Sequence, residues 1–514
     1  MNVPSPFRLK PLAACLAAAL ALAPVGAVVA NPADRPQPPA HVARHSLAAE
    51  FLTMSRPTHA PRLREVMEQA VVRARAARPM PNRPAGTVAV TSCDDAGPGT
   101  LRDVLTNAVS GDVVDLTGLS CSAISLTTGA ISTTADDVTL QGPGASTLAI
   151  DAGQLSGIVN HYGTGTLTIE GLTLTNGHIE GQDFHGGACV LSAANVVVND
   201  STLSNCYAYM GHAYGGAICA VGNITLTNAT LSGNTTKGHY YYYYYPGYPD
   251  PYIFNGTSWG GGAYATGKFT ITDSTITHNR AEMNNRGSVG GGITSGVGGH
   301  FISGSTFDNN AGWLGGAIEI LGGFGGEPDG LTIVNSTISG NESFASGGGV
   351  NTIYIAYTNL HNSTVTNNHA GYYCGGVYVY TGNADIRSSI IAGNTSVYNY
   401  NQFHYYSAAD FDVFASGATV SGDHSVITTT NAPTPPDTIT DDPLLLPLAD
   451  NGGPTQTHAF DMTSVALDAG SNPDNLDFDQ RGEGYPRSTG AAPDIGAFEA
   501  PGDLPDEIFA SGFD

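Results

Sequence analysis

GGAICAVGNITLTNATLSGN, Gly215–Asn234, opens on a glycine pair and closes on an asparagine, and both marks recur along the chain. The first returns as GGAC at Gly186, GGAY at Gly261, GGGI at Gly290, GGAI at Gly315, GGGV at Gly347 and CGGV at Cys374. The second returns as STLSNC ending at Cys206, STITHN at Asn279, STFDNN at Asn310, STISGN at Asn341, STVTNN at Asn368 and SIIAGN at Asn394. From first mark to second the distance is 18 to 21 residues in six cases; it is 26 from Gly315 to Asn341, across the glycine-rich GGFGGEPDG. From the second mark to the next first mark it runs from 5 to 27 residues. A unit with one near-constant part and one part free to grow is a stacked solenoid whose insertions collect on one edge.

The period of about 25–33 residues suits one coil of a parallel β-helix, so the fold class expected is all-β. Cys189, Ile218, Tyr264, Ile293, Ile318, Val350 and Val377 share one repeat position and are expected to stack inward. Val190, Cys219, Ala265, Thr294, Glu319, Asn351 and Tyr378 follow them and are expected to face outward. The repeated asparagines are expected to form an internal ladder, because a stacked Asn at a turn bonds the backbone of adjacent coils.

Composition sets limits on function. Residues 31–87 carry nine arginines against four acids, whereas from residue 88 onward eight basic residues face 40 acidic ones. The body repels nucleic acid and anionic membranes. Residues 1–30 read as a signal peptide: Arg8 and Lys10 precede an apolar run, Leu12 to Val25, and small residues at Val28 and Ala30 suit cleavage before Asn31. No later stretch has the ~20 apolar residues a membrane span needs. The expectation is a secreted or cell-surface monomer with no membrane insertion. Residues 31–87 read as a linker or pro-segment, with a short amphipathic helix in Arg62–Arg78. Six cysteines follow the leader, and Cys93 and Cys121 are expected to pair.

The remaining boundaries expected are an N-terminal cap and first coils over 88–150, a β-helix body over 151–430, a closing region over 431–500 and an acidic tail over 501–514. Here the chain resembles exported bacterial pectin-lyase-like proteins with a choice-of-anchor Q type C-terminal region. VTSCDDAGPGTLRDVLTNAVSGDVVDL (Val90–Leu116) is similar to their N-terminal cap and SSIIAGN to their last coil. DPLLLPLADNGGPTQTHAFDMTSVALDAG (Asp442–Gly470) and DQRGEGYPRSTGAAPDIGAFE (Asp479–Glu499) are similar to their closing region. The resemblance implies a right-handed parallel β-helix and secretion or surface display, and it implies no single activity.

The insertions are rich in aromatics. KGHYYYYYYPGYPDPYIF (Lys237–Phe254) fills the longest, and Tyr207, Tyr209, Tyr214, Trp313, Tyr372, Tyr373 and Tyr400 fall in the same phase. With Tyr240, Tyr243 and Tyr248 they are the candidate ligand contacts, expected to line one edge. Flat rings with a polar hydroxyl match the apolar faces and polar rims of sugars, so a polysaccharide is the partner expected. Hydrolysis would need two carboxyls flanking a bond. Glu319, alone among uncharged residues in its column, is the candidate acid, with Asp183 and His185 beside the same turns. A non-catalytic adhesion or matrix role fits the same edge. No cofactor is implied; Ca²⁺ has candidate ligands in Asp474, Asp477 and Asp479, against which stands a structural Asp479–Arg481 pair.

Overall fold

The computed structural model describes residues 59–502, apart from 79–80, 182–183, 244–251, 283–287, 323–329 and 397–410. Of the sites read from the sequence, Asp183, Tyr248 and Tyr400 lie outside the described residues, as do the leader and most of the acidic tail.

The solenoid is about 10 turns long; its first coils pass through three sheets, and from His178 onward the coils add a fourth, in a fixed order. In one coil, Asn195–Asn199 belongs to sheet I, Thr202–Ser204 to sheet II, Tyr207–Met210 to sheet III and Ile218–Ala220 to sheet IV. All pairing between coils is parallel among the described residues. The strands are short because each face is narrow, and they alternate: Leu203, Leu231, Ile276, Phe307, Ile338 and Val365 point inward from sheet II, flanked by Thr or Ser except for Asp308 after Phe307. Stacking identical positions turns each inward residue into a continuous apolar column.

Sheet IV corrects the expected register by one residue in two coils. Val190 pairs with Ile218, and Ile218 with Ala263, so Cys189 and Tyr264 are not in the inward column of that sheet. The outward column is Leu191, Cys219, Tyr264, Thr294, Glu319, Asn351 and Tyr378. The true marker is the glycine with positive φ three residues before the inward residue: Gly187, Gly215, Gly260, Gly290, Gly315 and Gly347. A Cβ at Gly315 would lie 2.4 Å from the Ile318 carbonyl oxygen, so the turn admits only glycine.

The asparagine ladder is internal, as expected. Asn234, Asn279, Asn310, Asn341, Asn368 and Asn394 are buried, and each donates its side-chain amide to the next side-chain oxygen at 2.8–3.0 Å. Cys206 heads the ladder, its backbone N–H bonding Asn234, and Asp412 ends it by accepting from Asn394. A second ladder runs beside it between sheets I and II. Each backbone N–H of Ser274, Ser305, Ser336, Ser363 and Ser389 donates to the serine hydroxyl one coil on. Both ladders satisfy buried corner amides that no strand can reach.

Among the described residues, two helices flank the coils. α1 (His59–Ala77) lies against the start of sheets III and IV, burying Leu63 and Met67. α2 (Leu101–Thr106), capped by the Thr100 side chain bonding the Asp103 N–H, plugs the first coils. Cys93 and Cys121 form a disulfide there, and Cys189 and Cys206 form a second; Cys219 and Cys374 are buried thiols. The closing region packs on the outer face of sheet II. The Thr306 hydroxyl donates to the Gln456 carbonyl, Thr337 to the Gln480 side chain, and His458 Nε2 lies 2.8 Å from the Ser339 hydroxyl.

Candidate binding face

Sheet III is where the insertions act. In several coils the chain runs out along one strand and returns along another, as Tyr207–Met210 and His212–Tyr214 do. The two strand sets pack against each other, burying Ala208, Met210 and Ala213. Residues of the outgoing strands alternate, so every second side chain faces away from the coil.

The tyrosine run is a hairpin rooted on this sheet. Tyr240–Tyr243 pairs antiparallel with Tyr252–Asn255, between Thr235–Gly238 and Ser258–Trp259. Tyr240 and Tyr243 therefore sit in a strand where the sequence suggested a loop insertion.

The aromatic edge is divided into clusters. In the first, Tyr207 packs on His178 with ring centres 5.3 Å apart, and Tyr209 stacks on His239 at 3.6 Å. Partial burial, and after it the Glu282 carboxylate, hold the Tyr207 hydroxyl above its usual pKa, which keeps it a neutral donor. In the second, Trp313 stacks on Phe344 at 4.2 Å, and Tyr372 meets Phe344 edge-on at 5.5 Å. Between the two clusters the same rows carry Thr235, Lys237, Arg280 and Glu282. Lys237 and Glu282 pair at 2.9 Å, and the Lys237 ammonium lies 5.6 Å from the Tyr209 ring centre. Tyr209 and Trp313 are three strands apart, roughly 14 Å.

Other candidates sit elsewhere. Tyr214 is fully buried against Trp259 and Tyr264, so it cannot meet a ligand on this face. Tyr373 joins Tyr378 and Phe414 over the far end of sheet IV, where Tyr378 and Phe414 stack at 5.6 Å. His185 lines a cleft between α1 and sheet IV.

Glu319 faces outward from its coil, as read, but it is not solvated: its exposure is 0%. One carboxyl oxygen accepts from the Asn351 amide at 2.7 Å, and the other has no partner among the described residues. Burial pushes its pKa well above the carboxylate range, so it stands as a neutral acid. Asp412, another acid of the turns, is the end of the asparagine ladder, where its second oxygen takes the Thr429 N–H and hydroxyl.

The Ca²⁺ ligands suggested by the sequence do not converge. Asp474 bonds His361 at 2.9 Å, and Asp479 is bound by Arg481 through its backbone and guanidinium. Among the described residues no three His, Cys, Asp or Glu side chains are placed to hold a metal. Glu180 and Glu282, the acids of the first cluster's row, are also three strands apart, roughly 14 Å between backbones.

The serine ladder was missed from the sequence, whereas a basic segment docked on the acidic body was one of the two readings of residues 31–87. The recurring Ser-Thr of the second mark signalled the ladder, and Leu63 and Met67, four apart, signalled the docked helix face. Comparison with family models, with curated proteins and with solved structures finds no match. The parallel β-helix rests on the strand pairing itself.

Proposed function

We propose that this is an exported β-helix protein that binds an extended polysaccharide across the outer face of sheet III. The observation that carries the reading is the pair of aromatic clusters, Tyr207–Tyr209 and Trp313–Phe344–Tyr372, of which Tyr207, Tyr209, Trp313 and Phe344 stand on strands of one sheet and Tyr372 in the turn beside it. Rings fixed this way lose little conformational freedom on binding, and a polymer offers several sugar faces to them at once. The Lys237–Glu282 pair between them supplies hydrogen-bonding groups for hydroxyls and leaves little net charge, which suits a neutral polymer. Export follows from the Arg8–Val25 leader, and two disulfides suit an oxidising compartment. The closing-region motifs, Asp442–Gly470 and Asp479–Glu499, favour placing it with pectin-lyase-like, choice-of-anchor Q type proteins.

Binding without cleavage is the reading favoured, because Glu319 is buried and the Glu282 carboxylate is held in an ion pair with Lys237. The test is affinity electrophoresis on a panel of neutral and acidic polysaccharides, with reducing ends measured in parallel. Retardation by a neutral polymer is expected, weakened about tenfold or more by Trp313→Ala with Phe344→Ala. Retardation unaffected by those changes, or none on any polymer, refutes the reading.

A further inference from the structure

The outward column of sheet IV ought to face solvent, yet Cys219 and Tyr264 within it are 0% and 2% exposed. α1 lies over one end of this column, where Leu191 lines a cleft with Met67 and Ala70 of the helix and the Arg64 charge acts on Tyr264. The Arg64 guanidinium reaches the Thr266 carbonyl at 3.4 Å, and Arg75 pairs with Asp136, so the helix spans several coils. It is held by side chains alone: among the described residues no backbone hydrogen bond joins α1 to the coils. Among its residues whose burial is described, Leu63 and Met67 alone are fully buried. Beneath it remains a cleft of about 440 Å³, where Gln69 and Arg73 of the helix face Asn160, Tyr162 and His185. A helix that belonged to the core would close such a gap, because interiors pack to crystal density. The charge pattern has the same sense: five arginines between Arg62 and Arg78 meet an acidic body.

We propose that α1 is a removable cover, and that cutting the chain between α1 and the first strand, Thr87–Ala89, uncovers the outer face of sheet IV. While the chain is intact, the short connection keeps the helix at an effective concentration of about millimolar, which sustains weak side-chain docking. Once cut, the helix is diluted to the concentration of the protein and leaves.

The two buried thiols provide the test. Cys219 lies in the covered column, whereas Cys374 lies in another coil against the Phe411 and Val377 carbonyls. A site-specific protease sequence is inserted between Pro81 and Asn82, in an exposed stretch, and maleimide labelling is followed by mass spectrometry before and after cutting. Labelling of Cys219 is expected to rise at least about 100-fold on cutting, with Cys374 unchanged. The uncut double variant Leu63→Asp, Met67→Asp should raise Cys219 labelling in the same selective way. Cys219 staying inert after cutting, or α1 remaining bound, overturns the proposal. So does joint labelling of both cysteines, because α1 would then be a part of the fold that cannot be removed without unfolding.

Discussion

Replacing Asn310 by alanine tests whether the ladder holds the coils together. Its side chain accepts from the backbone N–H and the side-chain amide of Asn279, both at 3.0 Å. It donates to the Ile276 carbonyl at 2.8 Å and to Asn341 at 2.9 Å. Four hydrogen bonds at about 1 kcal/mol net each give about 4 kcal/mol. The Asn279 N–H is then left without its partner in a dry corner, which adds about 1–2 kcal/mol. The expected loss is about 5 kcal/mol, a large part of the stability of an ordinary domain. Guanidinium unfolding followed by circular dichroism measures it, and amide exchange at Asn279 shows whether opening is local. Asn359→Ala is the control: that side chain is half-buried with one long bond of 3.4 Å to Thr332, and its loss should cost under about 0.5 kcal/mol. A loss below about 1 kcal/mol for Asn310→Ala, or one no larger than the control, would refute the reasoning, because water would then serve the corner as well as asparagine.

Three further outcomes follow from the same structure. Glu319→Gln keeps an oxygen for the Asn351 amide and removes an ionisable group, so stability at pH 8 should hold or rise; a loss of several kcal/mol on thermal unfolding would mean the carboxyl is needed. Burial pushes the Glu499 carboxyl up to about 7, against ~4.3 in the unfolded chain. The native state then keeps a proton that the unfolded state has lost, so stability falls as pH rises from about 4.3 to about 7. The fall is at most about 4 kcal/mol, and Glu499→Gln should flatten it in urea melts. Cys93→Ala with Cys121→Ala opens a link across 28 residues and should cost about 3–4 kcal/mol, read by thermal unfolding against the unsubstituted chain in the absence of reductant.

The repeat was legible because its two marks answer to local rules. A positive-φ turn before sheet IV admits only glycine, and a buried corner amide asks for asparagine. The register of sheet IV was read one residue off at Cys189 and Tyr264, because a run of small residues offers two glycines for one turn. Only the hydrogen-bonding partner picks between them. The tyrosine run was placed at the correct turn, but its hairpin pairing was not visible, since six identical residues carry no alternation.

By itself, then, the sequence determined the coil, its parallel stacking, the asparagine ladder, the Cys93–Cys121 link and the edge that takes insertions. Each is a property of short segments repeated at nearly constant spacing. Tertiary structure alone decided which outward residues meet solvent. Glu319 and Tyr214 point away from the coil, yet both are buried, whereas Trp313 and Phe344 form a stacked pair on an outer face. Alternation along a strand sets the direction of a side chain, but its exposure depends on whether a distant segment lies over it, and no local pattern records that.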